Sequence, residues 1–181
     1  MGDRGVVVFA PGRAVVAAID GLGHGPAASA AAEAAASVLE RHPEADVISL
    51  AERCDDELRG ARGVAMSLAT FDVDSAEMSW LGIGDVEGRL IPAGASGGVG
   101  RSLLLRPGVV GDHLPMLAAD SVPVRPGDVV VLATDGIRSD FGDRLRPSRS
   151  CRETAEMILD RYGKREDDAL VLVARYLGEA M

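Results

Sequence analysis

Two phrases in this chain, Val15-Val16-Ala17-Ala18-Ile19-Asp20-Gly21 and Val130-Val131-Leu132-Ala133-Thr134-Asp135-Gly136, each run an apolar stretch into a carboxylate followed by a glycine. Apolar residues at successive positions of a strand require cover on both of its faces. Each phrase puts a carboxylate at the end of such a strand. The glycine permits a tight turn, and its missing side chain can leave room for a ligand near the backbone. The reverse arrangement stands at Asp167-Asp168, just before the apolar run Ala169–Val173.

The rest of the chain fixes how those strands are embedded. Gly5–Ala10 and Arg13–Ile19 flank the turn signal Pro11-Gly12 and read as a hairpin. Pro26 opens an alanine-dominated helix through Arg41, since proline suits a first helical turn and alanine is the best helix former. A second helix is expected over Asp46–Leu58, where Val47, Leu50, Ala51, Cys54 and Leu58 fall at helical spacing. Val64–Phe71, Glu77–Ile83 and Gly88–Ile91 then read as an antiparallel meander with turns at Asp72-Val73-Asp74-Ser75 and Gly84-Asp85. Pro92–Pro126, rich in glycine and proline, receives no assignment. Asp128–Thr134 reads as a strand, Arg152–Tyr162 as a helix and Ala169–Tyr176 as a final strand. This order lacks the regular alternation of a parallel α/β sheet and predicts an α+β fold of two packed sheets with helices outside.

Composition narrows the function classes. The 181 residues suit one domain, 1–181, and 47% are apolar but only 3% aromatic, so the core is built from Ala, Val, Leu and Ile. A net charge of −9 argues against nucleic acid as a partner, because phosphate-backbone binding needs a basic face. Cys54 and Cys151 form no CxxC pair and read as reduced thiols. With no signal-peptide pattern and no apolar run of about 18 residues, no membrane partner is expected and the compartment is predicted to be the cytoplasm.

Read from the residues alone, each Asp-Gly is either a turn or one corner of a shared site. Carboxylates gathered in a cleft repel, so they must be protonated, separated or neutralised by a cation. Hard oxygen ligands favour Mg²⁺ or Mn²⁺, and the lack of Cys–His clusters argues against structural zinc. A pair of such ions about 3.5–4 Å apart can activate a bridging water against a phosphoryl group.

Asp20-Gly21-Leu22-Gly23-His24-Gly25, the phrase Val124-Arg125-Pro126-Gly127-Asp128 through Asp135-Gly136, and Asp167-Asp168-Ala169-Leu170-Val171-Leu172-Val173 occur in a set order. That order resembles PPM-type metal-dependent protein serine/threonine phosphatases, and most of all their bacterial sporulation and stress-response branch. The resemblance implies a four-layer α–β–β–α sandwich holding two Mn²⁺ or Mg²⁺ ions at one end of the sheets. It implies Asp20 as the acid bridging both ions, Gly21 as a backbone-carbonyl ligand, Asp135 and Asp167 as acids of one ion, and Asp3 as the early acid of the other. Asp168 falls where the family carries a supporting Asn or Asp. Gly84-Asp85 resembles an internal Gly-Asp that some members use for a third metal, with a plain strand turn as the other reading. The implied substrates are phosphorylated regulatory proteins, of the stressosome scaffold or anti-sigma antagonist type.

His24 carries an imidazole, the side-chain type suited to general acid chemistry at physiological pH, and could protonate a leaving alkoxide, or serve as a polar residue of its glycine-rich loop. Arg4, Arg13 and Arg138 lie near the acids in sequence and read as solvated surface. Other phosphatase chemistries fit less well. Cys54 and Cys151 lack an arginine six positions on, where Gly60 and Met157 stand, and no P-loop pattern occurs. Leu68-Ala69-Thr70-Phe71-Asp72-Val73-Asp74 resembles the nucleophile motif of haloacid-dehalogenase-type enzymes, but that reading leaves both Asp-Gly phrases unexplained. A catalytically silent binding module on the same fold is the alternative from another class.

Overall fold

The period-2 runs become two sheets, and the computed structural model describes residues 2–94, 100–143, 145–164 and 168–178. In chain order the elements are β1 (Asp3–Ala10), β2 (Arg13–Gly21), α1 (Pro26–Arg41), α2 (Val47–Leu58), β3 (Val64–Asp72), β4 (Glu77–Ile83) and β5 (Glu87–Ile91). Then come β6 (Arg101–Ser102), β7 (Leu105–Arg106), β8 (Asp120–Pro123), β9 (Val129–Ala133), a 3₁₀ turn (Ser139–Gly142), α3 (Cys151–Tyr162) and β10 (Val171–Arg175). The first sheet has the order β1-β2-β3-β4-β7, with β8 also on β4; the second is β10-β9-β5-β6. Only the β4–β7 pairing is parallel among the described strands.

Alternation along the strands sorts side chains into separate cores, because successive residues point to opposite faces. Val15, Ala17 and Ile19 of β2 pack with α1 and α2, while Val16 and Ala18 pack between the sheets with Val130 and Leu132 of β9. Val129, Val131 and Ala133 of β9 turn the other way, into a cluster with Ile158 of α3. The resulting order of layers is α1/α2, first sheet, second sheet, α3, the expected α–β–β–α sandwich. No helix among the described residues is long and apolar enough to cross a membrane.

Local chemistry explains the element ends. α1 begins at Pro26 and buries Ala28, Ala31, Ala32, Ala35 and Ala36, small side chains that let the helix lie close on the sheet. α2 begins at Val47 because Asp46 is its N-cap, accepting hydrogen bonds from the Ile48 and Ser49 amides at 3.0 Å. Between the two helices Cys54 is fully buried with its thiol 3.7 Å from the Ala35 carbonyl; burial and then Glu57 push it up to about 12. Iodoacetamide at pH 8 is therefore expected to label half-buried Cys151 and spare Cys54 until denaturant is added, as read by peptide mass spectrometry. Equal labelling of both thiols in the folded protein would contradict this packing.

The expected three-strand meander ends after two strands. β5 pairs with β9 and β6 in the second sheet, not with β4. Gly84 adopts a left-handed φ of 86°, and Val86 is fully buried between the sheets, so Gly84-Asp85 is a crossover and not a hairpin turn. The unassigned stretch Pro92–Pro126 supplies β6, β7 and β8, of two, two and four residues.

Candidate metal centre

The pairing register brings the first two acids together. Asp3 lies directly opposite Asp20 on antiparallel neighbours, which sets their Cα atoms about 4.5–5.5 Å apart. Asp20 continues the even-numbered face of Val16 and Ala18, so it stands where the inter-sheet core meets solvent. Its carboxyl is raised to about 7, by burial first and then by the charges of Asp3, Asp135 and Asp85, with a hydrogen bond shared with Asp3. Acids from three chain segments thus press on the end of β2: the start of β1, the inter-sheet crossover and the turn after β9.

Hydrogen bonds from both sheets fix this group. The Thr134 hydroxyl donates to Asp3 Oδ2 at 2.7 Å and accepts from the Leu170 amide at 2.9 Å. The Gly2 amide donates to Asp168 Oδ2 at 2.9 Å and the Gly21 amide donates to the Gly2 carbonyl at 3.1 Å. The bond from Gly2 holds the Asp168 carboxyl below the usual range. Thr134, which the sequence reading passed over, is the tie between the sheets. Its signal was a hydroxyl in a fully buried strand end, which demands a partner.

Gly21 is still in β2, and Gly136 lies in a turn closed by the Ile137 amide donating to the Thr134 carbonyl at 3.0 Å, yet what demands glycine at both positions is packing. Neither has a positive φ. A Cβ on Gly21 would collide with the Ala28 carbonyl of α1, and one on Gly136 with the Asp168 carbonyl. The space expected to admit a ligand is therefore filled by the chain itself, which brings Asp20 against the first turns of α1 and Asp135 against the segment carrying Asp168.

A cleft of about 330 Å³ opens beside the acids, lined in part by Asp85, Thr134, Asp135, Arg138, Phe141 and Lys164. His24 is exposed on the loop after β2 and does not line it. Arg138 reaches the cleft, contrary to the expectation of plain surface, whereas Arg4 pairs with Glu33 at 3.1 Å. Arg13 sits at the opposite end of β2, where it donates to the Glu44 carbonyl. Asp167 lies outside the described residues.

The donor set fits a hard divalent cation. It offers carboxylates from Asp3, Asp20 and Asp135 with backbone oxygens nearby, and neither sulfur nor imidazole among them. As they stand, no three His, Cys, Asp or Glu side chains among the described residues are close enough to hold an ion. The raised carboxyl of Asp20 records how closely the acids crowd it.

The haloacid-dehalogenase reading fails on geometry. Asp72 pairs with Arg13 at the far end of the first sheet, seven residues along β3 from the position opposite Asp20, a span of roughly 24 Å. Its carboxylate accepts from the Ser75 amide and hydroxyl, a turn role.

Residues 10–177 match the family model for Stage II sporulation protein E (SpoIIE). The chain belongs to the SpoIIE family. One relative is the phosphoserine phosphatase RsbX of Bacillus subtilis (strain 168), 23% identical over 162 residues, covering 89% of this chain and 80% of RsbX. A structure of RsbX in complex with magnesium aligns with a TM-score of 0.82 at 22% identity, over 95% of this chain and 85% of that one. A structure from work on the bacterial stressosome as a modular system controlling secondary messenger signalling aligns with a TM-score of 0.85 at 28% identity, covering 96% and 91%. The PP2C phosphatase domain of SpoIIE from Bacillus subtilis aligns with a TM-score of 0.83 at 18% identity, covering 99% of this chain and 60% of that one. The SpoIIE-family fold is thus the two-sheet PP2C sandwich. The family match begins after Asp3, so the place of Asp3 here rests on its pairing with Asp20.

Proposed function

We propose that this SpoIIE-family protein is a metal-dependent protein serine/threonine phosphatase. The observation that carries the reading is the convergence of Asp3, Asp85 and Asp135 on Asp20, beside a cleft that shares Asp85 and Asp135 with that group. Asp3, Asp20, Asp135 and Asp167, with the Gly21 carbonyl, would hold two Mn²⁺ or Mg²⁺ ions. When bound, the cations supply Lewis-acid charge and lower the pKa of water, so that hydrolysis needs no covalent phosphoenzyme.

The protein's own contribution is orientation. Thr134 holds Asp3 against β9, Asp168 holds Gly2 and so fixes the start of β1, and Gly136 allows the two loops at the site to touch. Asp85 adds negative charge at the mouth, consistent with a supporting or third-metal role. The open cleft suits a phosphorylated side chain presented on a protein surface. RsbX supports phosphoserine as the target and the stressosome-derived neighbour supports a signalling partner. The substrates in this reading are phosphorylated regulatory domains of a stressosome scaffold or an anti-sigma antagonist.

The test is release of inorganic phosphate from phosphoserine and phosphothreonine peptides and from a phosphorylated scaffold domain, with Mn²⁺, with Mg²⁺ and with EDTA. Turnover confined to the metal-supplemented samples is expected. Metal-independent turnover, or none with any of the three substrates, would sink the reading in favour of other chemistry or of a silent binding module.

A further inference from the structure

Two described cations line the cleft beside the acids, Arg138 and Lys164, and a third, Arg89, packs against its lining residues Glu87 and Phe141; both arginines are already engaged. Arg89 pairs with Glu87 at 3.0 Å and lies over the Phe141 ring, 5.5 Å from its centre. Arg138 forks onto Asp140 through Nε at 3.1 Å and Nη2 at 3.4 Å, with its guanidinium over the Tyr162 ring at 5.3 Å. Lys164 also lines the cleft, yet forms no ion pair with another described residue.

The backbone of Lys164 is nevertheless held in place. α3 ends at Tyr162, and the Gly163 amide closes that end by donating to the Leu159 carbonyl at 3.0 Å. Gly163 bridges to Ile137, the Arg138 amide donates to the Tyr162 carbonyl at 3.0 Å, and the Lys164 amide donates to the Gly136 carbonyl at 2.8 Å. Lys164 is thereby tied to the residue that follows Asp135. Its ammonium is a long-reaching point charge on an anchored base, at the edge of an acid group that any phosphate must approach.

We propose that Lys164 is the phosphate-binding residue of this site, donating to an oxygen of the phosphate monoester dianion that enters the cleft. A dianion beside Asp85, Glu87 and Asp135 needs a positive donor from the protein itself, and Lys164 is the described cleft cation with its charge uncommitted. This assignment rests on the phosphatase reading for its substrate, but the binding of phosphate is measurable without turnover.

The experiment compares wild type with Lys164→Met and Lys164→Arg, each loaded with Mn²⁺. Inorganic phosphate is titrated calorimetrically, and p-nitrophenyl phosphate hydrolysis is followed in parallel. Lys164→Met is expected to weaken phosphate binding about tenfold or more, the scale of one charge-assisted hydrogen bond, with Lys164→Arg recovering most of the loss. KM for the aryl phosphate and the inhibition constant of phosphate should rise together, with kcat changed less than threefold and the Mn²⁺-induced rise in Tm unaltered. Equal phosphate affinity in wild type and Lys164→Met would overturn the assignment even if all three proteins are active. Absence of turnover in wild type would count against the phosphatase reading alone, and the calorimetric comparison would still decide Lys164.

Discussion

Asp20→Asn is expected to lower Mn²⁺-dependent phosphate release by about a thousandfold or more, equivalent to about 4 kcal/mol in the barrier, while stabilising the metal-free protein. Both effects have one origin. Asp20 faces Asp3, Asp85 and Asp135, so its carboxylate is needed to bind a cation and is a burden without one. The sign of the pH dependence follows. The folded-state value near 7 lies above the ordinary 3.8, so folded protein binds more protons than unfolded protein between those values. Stability of the metal-free wild type is therefore full below about pH 4 and falls as pH rises through about 7. Asn removes that loss. After allowance for solvent screening of a half-exposed group, the gain at pH 8 is about 1 kcal/mol, or roughly 2–4 °C in Tm. Differential scanning fluorimetry from pH 4 to 8 in EDTA measures it. A variant that is both active and no more stable would contradict the role given to Asp20.

Gly136→Ala is the second large effect, and it acts through packing. A methyl group at this position would run into the Asp168 carbonyl and lie 2.9 Å from the Ala169 Cα, both main-chain atoms that cannot rotate aside. Relieving the overlap must move the Asp135 turn away from the Asp168 segment, breaking the Lys164 amide bond to the Gly136 carbonyl or the bonds through Thr134. The expected cost is about 2–3 kcal/mol, a fall in Tm of roughly 5–10 °C, with loss of Mn²⁺-dependent turnover at temperatures where the variant is still folded. Thermal melts and phosphate release on the same preparation check both parts. A variant with the melting temperature and activity of wild type would show that the contact is not needed.

The parts legible in the sequence were those set by local pattern. α1 runs from Pro26 to Arg41 and β4 from Glu77 to Ile83 at the predicted bounds, because proline, alanine content and alternation specify them without reference to the rest of the chain. The two Asp-Gly phrases did mark neighbouring strand ends, since both follow runs buried on two faces. What escaped was pairing. Alternation in Glu87–Ile91 says that the segment is a strand but not which sheet receives it; that depends on Gly84 turning the chain and Val86 filling the inter-sheet core. β6 and β7, two residues each, have no periodicity to read, and exist through their partners β5 and β4.

The site shows the same division. Arg13 lies near the acids in sequence but keeps the surface place expected of it, because the nine residues from Arg13 to Gly21 run out along β2 and set it at the other end of the strand. Asp3 carries no local strand signal before it, and gains its position from facing Asp20. Thr134 looked ordinary because its role comes from contacts with segments more than twenty residues away.

Phosphate release is predicted to depend on a pair of cations held by these acids. Calorimetric titration of Mn²⁺ into metal-free protein, with phosphate release from a phosphoserine peptide assayed at each point, tests it most directly. The prediction is two ions bound per chain in wild type, turnover rising with occupancy, and both lost in Asp20→Asn. Undiminished turnover in protein that binds no Mn²⁺, or two-ion binding that survives Asp20→Asn unchanged, would contradict it.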